Sequence, residues 1–161
     1  MIFNVIYEEK IRTPFIATSI FVLVAIFLFL LNFFPEFFNL QLNNGYKLAI
    51  AIAALADLLL YISFSRLTIS LFPNLLRVNF GIFKTQFWKG DVQQVTIEDL
   101  LIQEWKGYGI LFRKQKIGYI AKGGRGLRLR MNNKDFFIST ENPEQLKDLI
   151  DKNLLDHDRK Y

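Results

Sequence analysis

Cysteine is absent from the 161 residues, which excludes disulfide cross-links, a thiol nucleophile and cysteine-ligated metal, and is compatible with a reducing compartment. Histidine occurs once, at His157, within the charged run Asp156-His157-Asp158, a setting for a frayed, solvated tail rather than a general base or metal ligand. Zinc-ligand spacing, a nucleophile elbow, a Walker loop and a dinucleotide fingerprint are all missing. Glu8 with Glu9, and Glu98 with Asp99, are neighbouring carboxylates. Adjacent residues on a strand point to opposite faces, so neither is a suitable acid/base pair. The expectation is a chain that is not an enzyme and uses no cofactor or metal.

Charge is missing from a second place. Pro14 to Phe34 holds 21 residues without Asp, Glu, Lys or Arg. At about 1.5 Å per residue such a helix spans the roughly 30 Å hydrocarbon core of a bilayer. Leu48 to Phe64 is a second apolar run, 17 residues long and broken only by Asp57, with Tyr46 and Ser65 placed for the interfaces. Thr13 is the expected N-cap of the first helix, Pro14 its first position and Pro35 its stop. A cleaved signal peptide is the rival reading. The run exceeds a usual signal core and Phe34-Pro35-Glu36 offers no small-residue cleavage site, so the segment is expected to be retained.

Lys10 and Arg12 precede the first helix, Lys47 stands alone in the thirteen-residue loop from Pro35 to Lys47, and Arg66, Arg77 and Lys84 follow the second. This asymmetry predicts cytoplasmic termini and an external loop lying on the membrane surface. The organisation expected is a transmembrane hairpin over 1–65, with helices at 14–34 and 48–64, then a cytoplasmic domain over 66–161. The membrane bilayer is thus one expected partner.

From Leu67 the hydrophobic period shortens to that of strands. Strands are expected at Leu67–Phe72, Leu75–Phe80, Ile82–Trp88, Val92–Ile97, Tyr108–Arg113, Ile117–Ala121, Leu127–Met131 and Lys134–Thr140, with turns at Pro73-Asn74, Lys89-Gly90 and Asn132-Asn133. Asn142, Pro143 and Gln145 open a helix over 143–155 whose buried stripe is Leu146, Leu149, Ile150 and Leu154. The fold class is α+β: a two-helix hairpin, then an antiparallel sandwich or open barrel closed by a C-terminal amphipathic helix.

Three segments taken in order, Gly107-Tyr108-Gly109-Ile110, Gly123-Gly124-Arg125-Gly126-Leu127-Arg128-Leu129 and Thr140-Glu141-Asn142-Pro143-Glu144-Gln145-Leu146, resemble the bacterial pleckstrin-homology-like (PH-like) membrane protein family. The resemblance covers roughly Leu48 to Leu155. It implies a PH-like domain beside the bacterial inner membrane, a non-catalytic module contacting lipid or protein. The phosphoinositide signature of eukaryotic PH domains is not matched, since that region holds only Arg66, Arg77 and Lys84, so no headgroup residue is carried over.

Acidic residues are missing from Lys106 to Lys134, which contains nine basic ones. Arg113, Lys114, Lys116, Lys122, Arg125, Arg128 and Arg130 are the candidate surface for an anionic leaflet or a protein partner, each charge near such a leaflet contributing about 1 kcal/mol. A solvated strand face is the plainer reading of Arg128 and Arg130. Nucleic acid is a disfavoured partner, for no recognition motif accompanies the charge. Lys122-Gly-Gly-Arg-Gly126 could cradle a phosphate, although a hairpin turn explains its glycines more simply.

Asp57 is the residue least suited to its surroundings, because an ionised carboxylate mid-bilayer costs at least about 2.5 kcal/mol. With Ala49 and Ala53 it forms an i, i+4, i+8 stripe for close helix packing. Ile20 to Leu31 offers it no polar side chain. Either Asp57 holds its proton or meets a partner on another chain, making a homo-oligomer or larger complex the expectation, or it reaches Thr18 or Ser19 within the hairpin. Two functions follow: a membrane-anchored interaction module, and alternatively a subunit of a transport or proton-conducting complex that uses Asp57.

Overall fold

Two helices long and apolar enough to cross a membrane stand beside two β-sheets in the computed structural model, which describes residues 4–155. The Asp156-His157-Asp158 run lies outside the described residues. Helix α1 (Phe15–Phe33) and helix α2 (Asn44–Phe64) form a hairpin through a short 3-10 turn at Pro35–Phe38. Asn43 caps α2 by accepting the Tyr46 N–H at 3.1 Å, so α2 begins ahead of the apolar run and takes in Lys47, which is not a loop residue. Thr13 does not cap α1; Pro14 holds that position without a side-chain bond. The facing seam is Thr18, Phe21, Ala25, Leu28 and Asn32 on α1 against Ile50, Ala54, Asp57, Tyr61 and Phe64 on α2.

The hairpin is inserted between two paired strands. Strand β1 (Tyr7–Arg12), within the segment expected to belong to the hairpin, pairs antiparallel with β2 (Arg66–Phe72), from Tyr7 opposite Leu71 to Arg12 opposite Arg66. Strands β3 (Leu75–Phe80) and β4 (Phe83–Trp88) complete a four-stranded sheet in the order β1-β2-β3-β4. The domain that follows α2 therefore takes its first strand from ahead of α1.

A second sheet has the order β5-β8-β9-β7-β6, from β5 (Gln94–Leu100), β6 (Gly109–Arg113), β7 (Lys116–Ile120), β8 (Gly124–Met131) and β9 (Lys134–Ser139). Strands β7 and β9 run parallel, which departs from the all-antiparallel expectation. The crossover between them is β8, whose two edges pair with β5 and β9. Ile11, Leu67, Ile69, Val78, Phe80 and Phe87 of the first sheet share one core with Val95, Tyr119, Leu127, Leu129 and Ile138 of the second. Helix α4 (Pro143–Leu154) adds Leu146, Ile150 and Leu154 to that core. Its N-terminus lacks the expected Asn142 side-chain cap.

Glu9 is buried, and its carboxylate fastens β1 to the start of α4. One oxygen accepts the Tyr7 hydroxyl at 2.9 Å and the Thr140 hydroxyl at 2.6 Å; the other accepts the Glu141 N–H at 2.6 Å. Burial pushes the Tyr7 hydroxyl up to about 12, helped by the bond to Glu9 and by its charge. A buried carboxylate with three donors is satisfied, whereas removing it would strand them.

The outer face of the second sheet carries a smaller apolar cluster under the one-turn helix α3 (Ile102–Trp105), where Trp105 packs with Leu100, Ile120 and Phe137. Gly118 makes room for it: a Cβ there would lie 2.7 Å from Trp105 Cζ3. Gly118→Ala is expected to lower stability by about 1–3 kcal/mol through overpacking. Urea unfolding of the detergent-solubilised chain, followed by tryptophan emission, measures it, and an unchanged midpoint contradicts the packing.

Candidate functional site

The base of the hairpin is clamped to the first sheet. Thr13 N–H donates to Ser65 O at 3.0 Å and the Thr13 hydroxyl donates to Phe64 O at 2.8 Å, closing the gap between the two chain crossings. The Phe64 ring lies 6.4 Å from Phe21, 5.9 Å from Phe80 and 5.6 Å from Phe83. Gly81, at φ 52°, lets the β3–β4 turn meet the helix, since a Cβ there would stand 2.2 Å from Ser63 Cα. No flexible linker separates hairpin and sheets.

Four of the seven cations expected to form the basic surface of the second sheet are paired with acids. Arg128 Nη1 donates to Glu98 at 2.8 Å and Nη2 to Asp135 at 2.7 Å, while Arg130 Nε reaches Asp135 at 3.4 Å. Lys122 pairs with Glu141 at 3.5 Å, and Arg125 with Glu144. Arg113 lies over the Trp105 ring at 5.5 Å, and Lys116 over Phe137 at the same distance. Lys114 is left on an exposed turn. The acids come from β5, from the position just after Lys134 and from the start of α4, so a run without acids in sequence becomes a partly paired surface in space. Exposed pairs of this kind are each worth about 0–1 kcal/mol, and they reduce the local field without cancelling it, since Arg113, Lys114 and Lys116 meet no acid in ion-pair contact among the described residues.

Asp135 and Arg128 are the least exposed of these pairs. The bond from Arg128 holds the Asp135 carboxyl below the usual carboxylate range, and the bonds to Asp135 and then Glu98 raise the already high Arg128 value. The glycine-rich turn at Gly123-Gly124 lies between these pairs; Gly124 has φ 114°, the conformation that requires glycine. Its flanking cations are already bound to Glu141 and Glu144, which leaves the backbone geometry as the role of the glycines.

A different basic face exists. Opposed residues in an antiparallel ladder share a face, so Arg12 and Arg66 form one row, Lys10, Thr68, Asn79 and Lys84 the next, and Glu8, Ser70, Arg77 and Gln86 a third. These rows lie on the outer side of the first sheet, opposite core residues such as Ile11, Leu67 and Val78. Five cations thus meet one acid, and Glu8 pairs with Lys10 at 2.7 Å. Arg77 lies over the Phe72 ring at 5.0 Å with its Nε buried and without a hydrogen-bond partner; the Asn79 Oδ1 is in the same condition. Ile62, Ser65, Arg66, Thr68, Asn79 and Gly81 line a cleft of about 380 Å³ where this face meets the end of α2. Sequence inspection passed over it because its cations are spread over four strands, though the alternation Lys10-x-Arg12 and Arg77-x-Asn79 marks an outward face.

Asp57 lies on the seam facing α1, whereas Ala49 and Ala53 are exposed and do not pack against α1 within the hairpin. The Asp57 Oδ2 is buried without a hydrogen-bond partner, as is Asn32 Oδ1 on the facing helix. Thr18 and Ser19 do not reach it, for their hydroxyls donate to Phe15 O at 3.2 Å and Ile16 O at 2.7 Å. Among the described residues no group of three His, Asp or Glu side chains is placed to hold a metal. No family model, curated protein or solved structure matches the chain.

The depressed Asp135 value has a consequence for stability. Its contribution is complete above the ordinary carboxylate value and is lost as pH falls through the depressed folded value. Asp135→Asn should therefore flatten the acid limb of a melting-temperature profile taken from pH 6 downward; an acid limb identical to wild type contradicts the pairing.

Proposed function

We propose that the chain is a non-enzymatic, membrane-anchored interaction module. The α1–α2 hairpin crosses the cytoplasmic membrane twice and the β-unit, a PH-like domain, sits on the cytoplasmic side against the anionic leaflet or a protein partner. The observation that carries this reading is the β1–β2 ladder, which brings both helix bases to one side of the hairpin and fastens the β-unit there without a linker. Arg12 and Arg66 occupy that base, while the opposite end carries Glu36, the aromatic residues Phe37 and Phe38 and a single cation, Lys47. That distribution accords with the retention of basic residues on the cytoplasmic side. The two-sheet core closed by α4, together with the ordered glycine and Asn-Pro segments, supports the PH-like assignment.

A second reading rests on Asp57. An unpartnered carboxylate oxygen within an apolar seam is a feature of ion and proton pathways, and two helices enclose such a pathway only as an oligomer. Purified chain in proteoliposomes, wild type against Asp57→Asn, decides: flux at background in both discards transport, and flux lost in the variant establishes it.

The absence of cysteine makes topology directly measurable. Gln41→Cys should react with a membrane-impermeant maleimide in intact cells, whereas Lys114→Cys should react only in inverted vesicles. Alkaline carbonate should leave the chain in the pellet. Labelling of both positions from one side, or release by carbonate, overturns the module reading.

A further inference from the structure

The cleft at the foot of α2 is amphipathic in the direction a lipid would need. Ile62 is exposed on its helix side, and Ser65, Arg66, Thr68 and Asn79 follow on the sheet side. Among the described residues neither Arg66 nor Lys84, opposite Asn79 in the ladder, has an acid in ion-pair contact, unlike the paired cations of the second sheet. Asn79 Oδ1 is a buried acceptor with no donor, and Arg77 Nε, two residues along the same face, is a buried donor with no acceptor. Of these two, Asn79 lines the cleft beside Arg66, and a ligand carrying both an anion and a hydroxyl matches that pair.

We propose that this cleft binds the headgroup of an anionic glycerophospholipid. The phosphodiester sits against Arg66 with Lys84 beside it, a headgroup hydroxyl donates to Asn79 Oδ1, and an acyl chain lies along Ile62. Charge complementarity and continuity with the helix surface select a lipid of the surrounding bilayer over a soluble anion. The inference rests on the hairpin crossing the membrane and names the ligand of the face beside it.

Native mass spectrometry of the full chain in detergent, titrated with phosphatidylglycerol, phosphatidylcholine or glycerol 3-phosphate, tests it. Wild type should retain phosphatidylglycerol in preference to the other two. Arg66→Gln with Lys84→Gln should weaken that retention about tenfold or more, since each such charge is worth about 1 kcal/mol. Lys114→Gln with Lys134→Gln removes the same charge from exposed positions of the second sheet and should change it less than about twofold. Asn79→Asp, nearly isosteric, should also weaken binding and serves if the double variant misfolds by circular dichroism. Equal loss in both double variants reduces the effect to net charge and overturns the site. Equal affinity for glycerol 3-phosphate overturns the lipid assignment. Because labelling topology does not depend on this cleft, an intact topology with unchanged lipid retention in all variants removes the site alone, whereas a failed topology removes the module reading.

Discussion

The rest of the structure depends on a ladder that closes across an insertion. Strands β1 and β2 are neighbours in the first sheet, yet the whole α1–α2 hairpin lies between them in the chain. Closing so long a loop costs entropy that grows only slowly with its length, and a helical hairpin with adjacent ends lowers that cost further because its geometry is preset. What remains is supplied by Ile11 in the core, the six ladder positions and the buried Glu9 bonds to Thr140 and Glu141. Without β1, the first sheet would expose the edge of β2, and the Thr140 and Glu141 donors would lose their acceptor. The hairpin and the sandwich are therefore one construction, with Phe64, Gly81 and Thr13 filling the joint.

Charge follows the same logic of placement over composition. The second sheet has the denser cationic sequence, but Glu98, Asp135, Glu141 and Glu144 arrive beside it through strand pairing and the approach of α4. The first sheet has fewer cations and almost no acids to meet them, so its outer face keeps a field. That face adjoins the helix base, where an anionic leaflet would lie if the helices span the bilayer as proposed, and the field there would be least screened by bulk salt.

Much of this architecture was legible in the residues. Both long helices announce themselves by length and missing charge, and most strands by alternation bounded by Gly, Pro and Asn, with boundaries within a few residues. Strand β1 was not legible because six residues with four charges pair with a segment far along the chain, a relation that local pattern does not encode. The parallel β7–β9 junction is hidden for the same reason, and α3 is a single turn held by Trp105 packing rather than by propensity. At the candidate site, Arg128 and Arg130 were correctly placed on one strand face, but their partners were invisible. Lys10, Arg12, Arg66, Arg77 and Lys84 were all seen as charges, and only the ladder register assembles them. Asp57 stood out from its surroundings in sequence and remains unpartnered in the fold, while the alanines assigned to its stripe do not pack against α1.

The pairing of β1 with β2 is the most direct point of attack. Glu8 and Ser70 oppose each other in register, and a cysteine placed at each would fall within the Cα spacing a disulfide accepts. In an otherwise cysteine-free chain in native membranes, the Glu8→Cys, Ser70→Cys pair should cross-link under mild oxidation, and Glu8→Cys with Thr68→Cys, displaced along the ladder, should not. Efficient cross-linking of the displaced pair, or none in either, would contradict an N-terminal strand joined to the sheet across the hairpin.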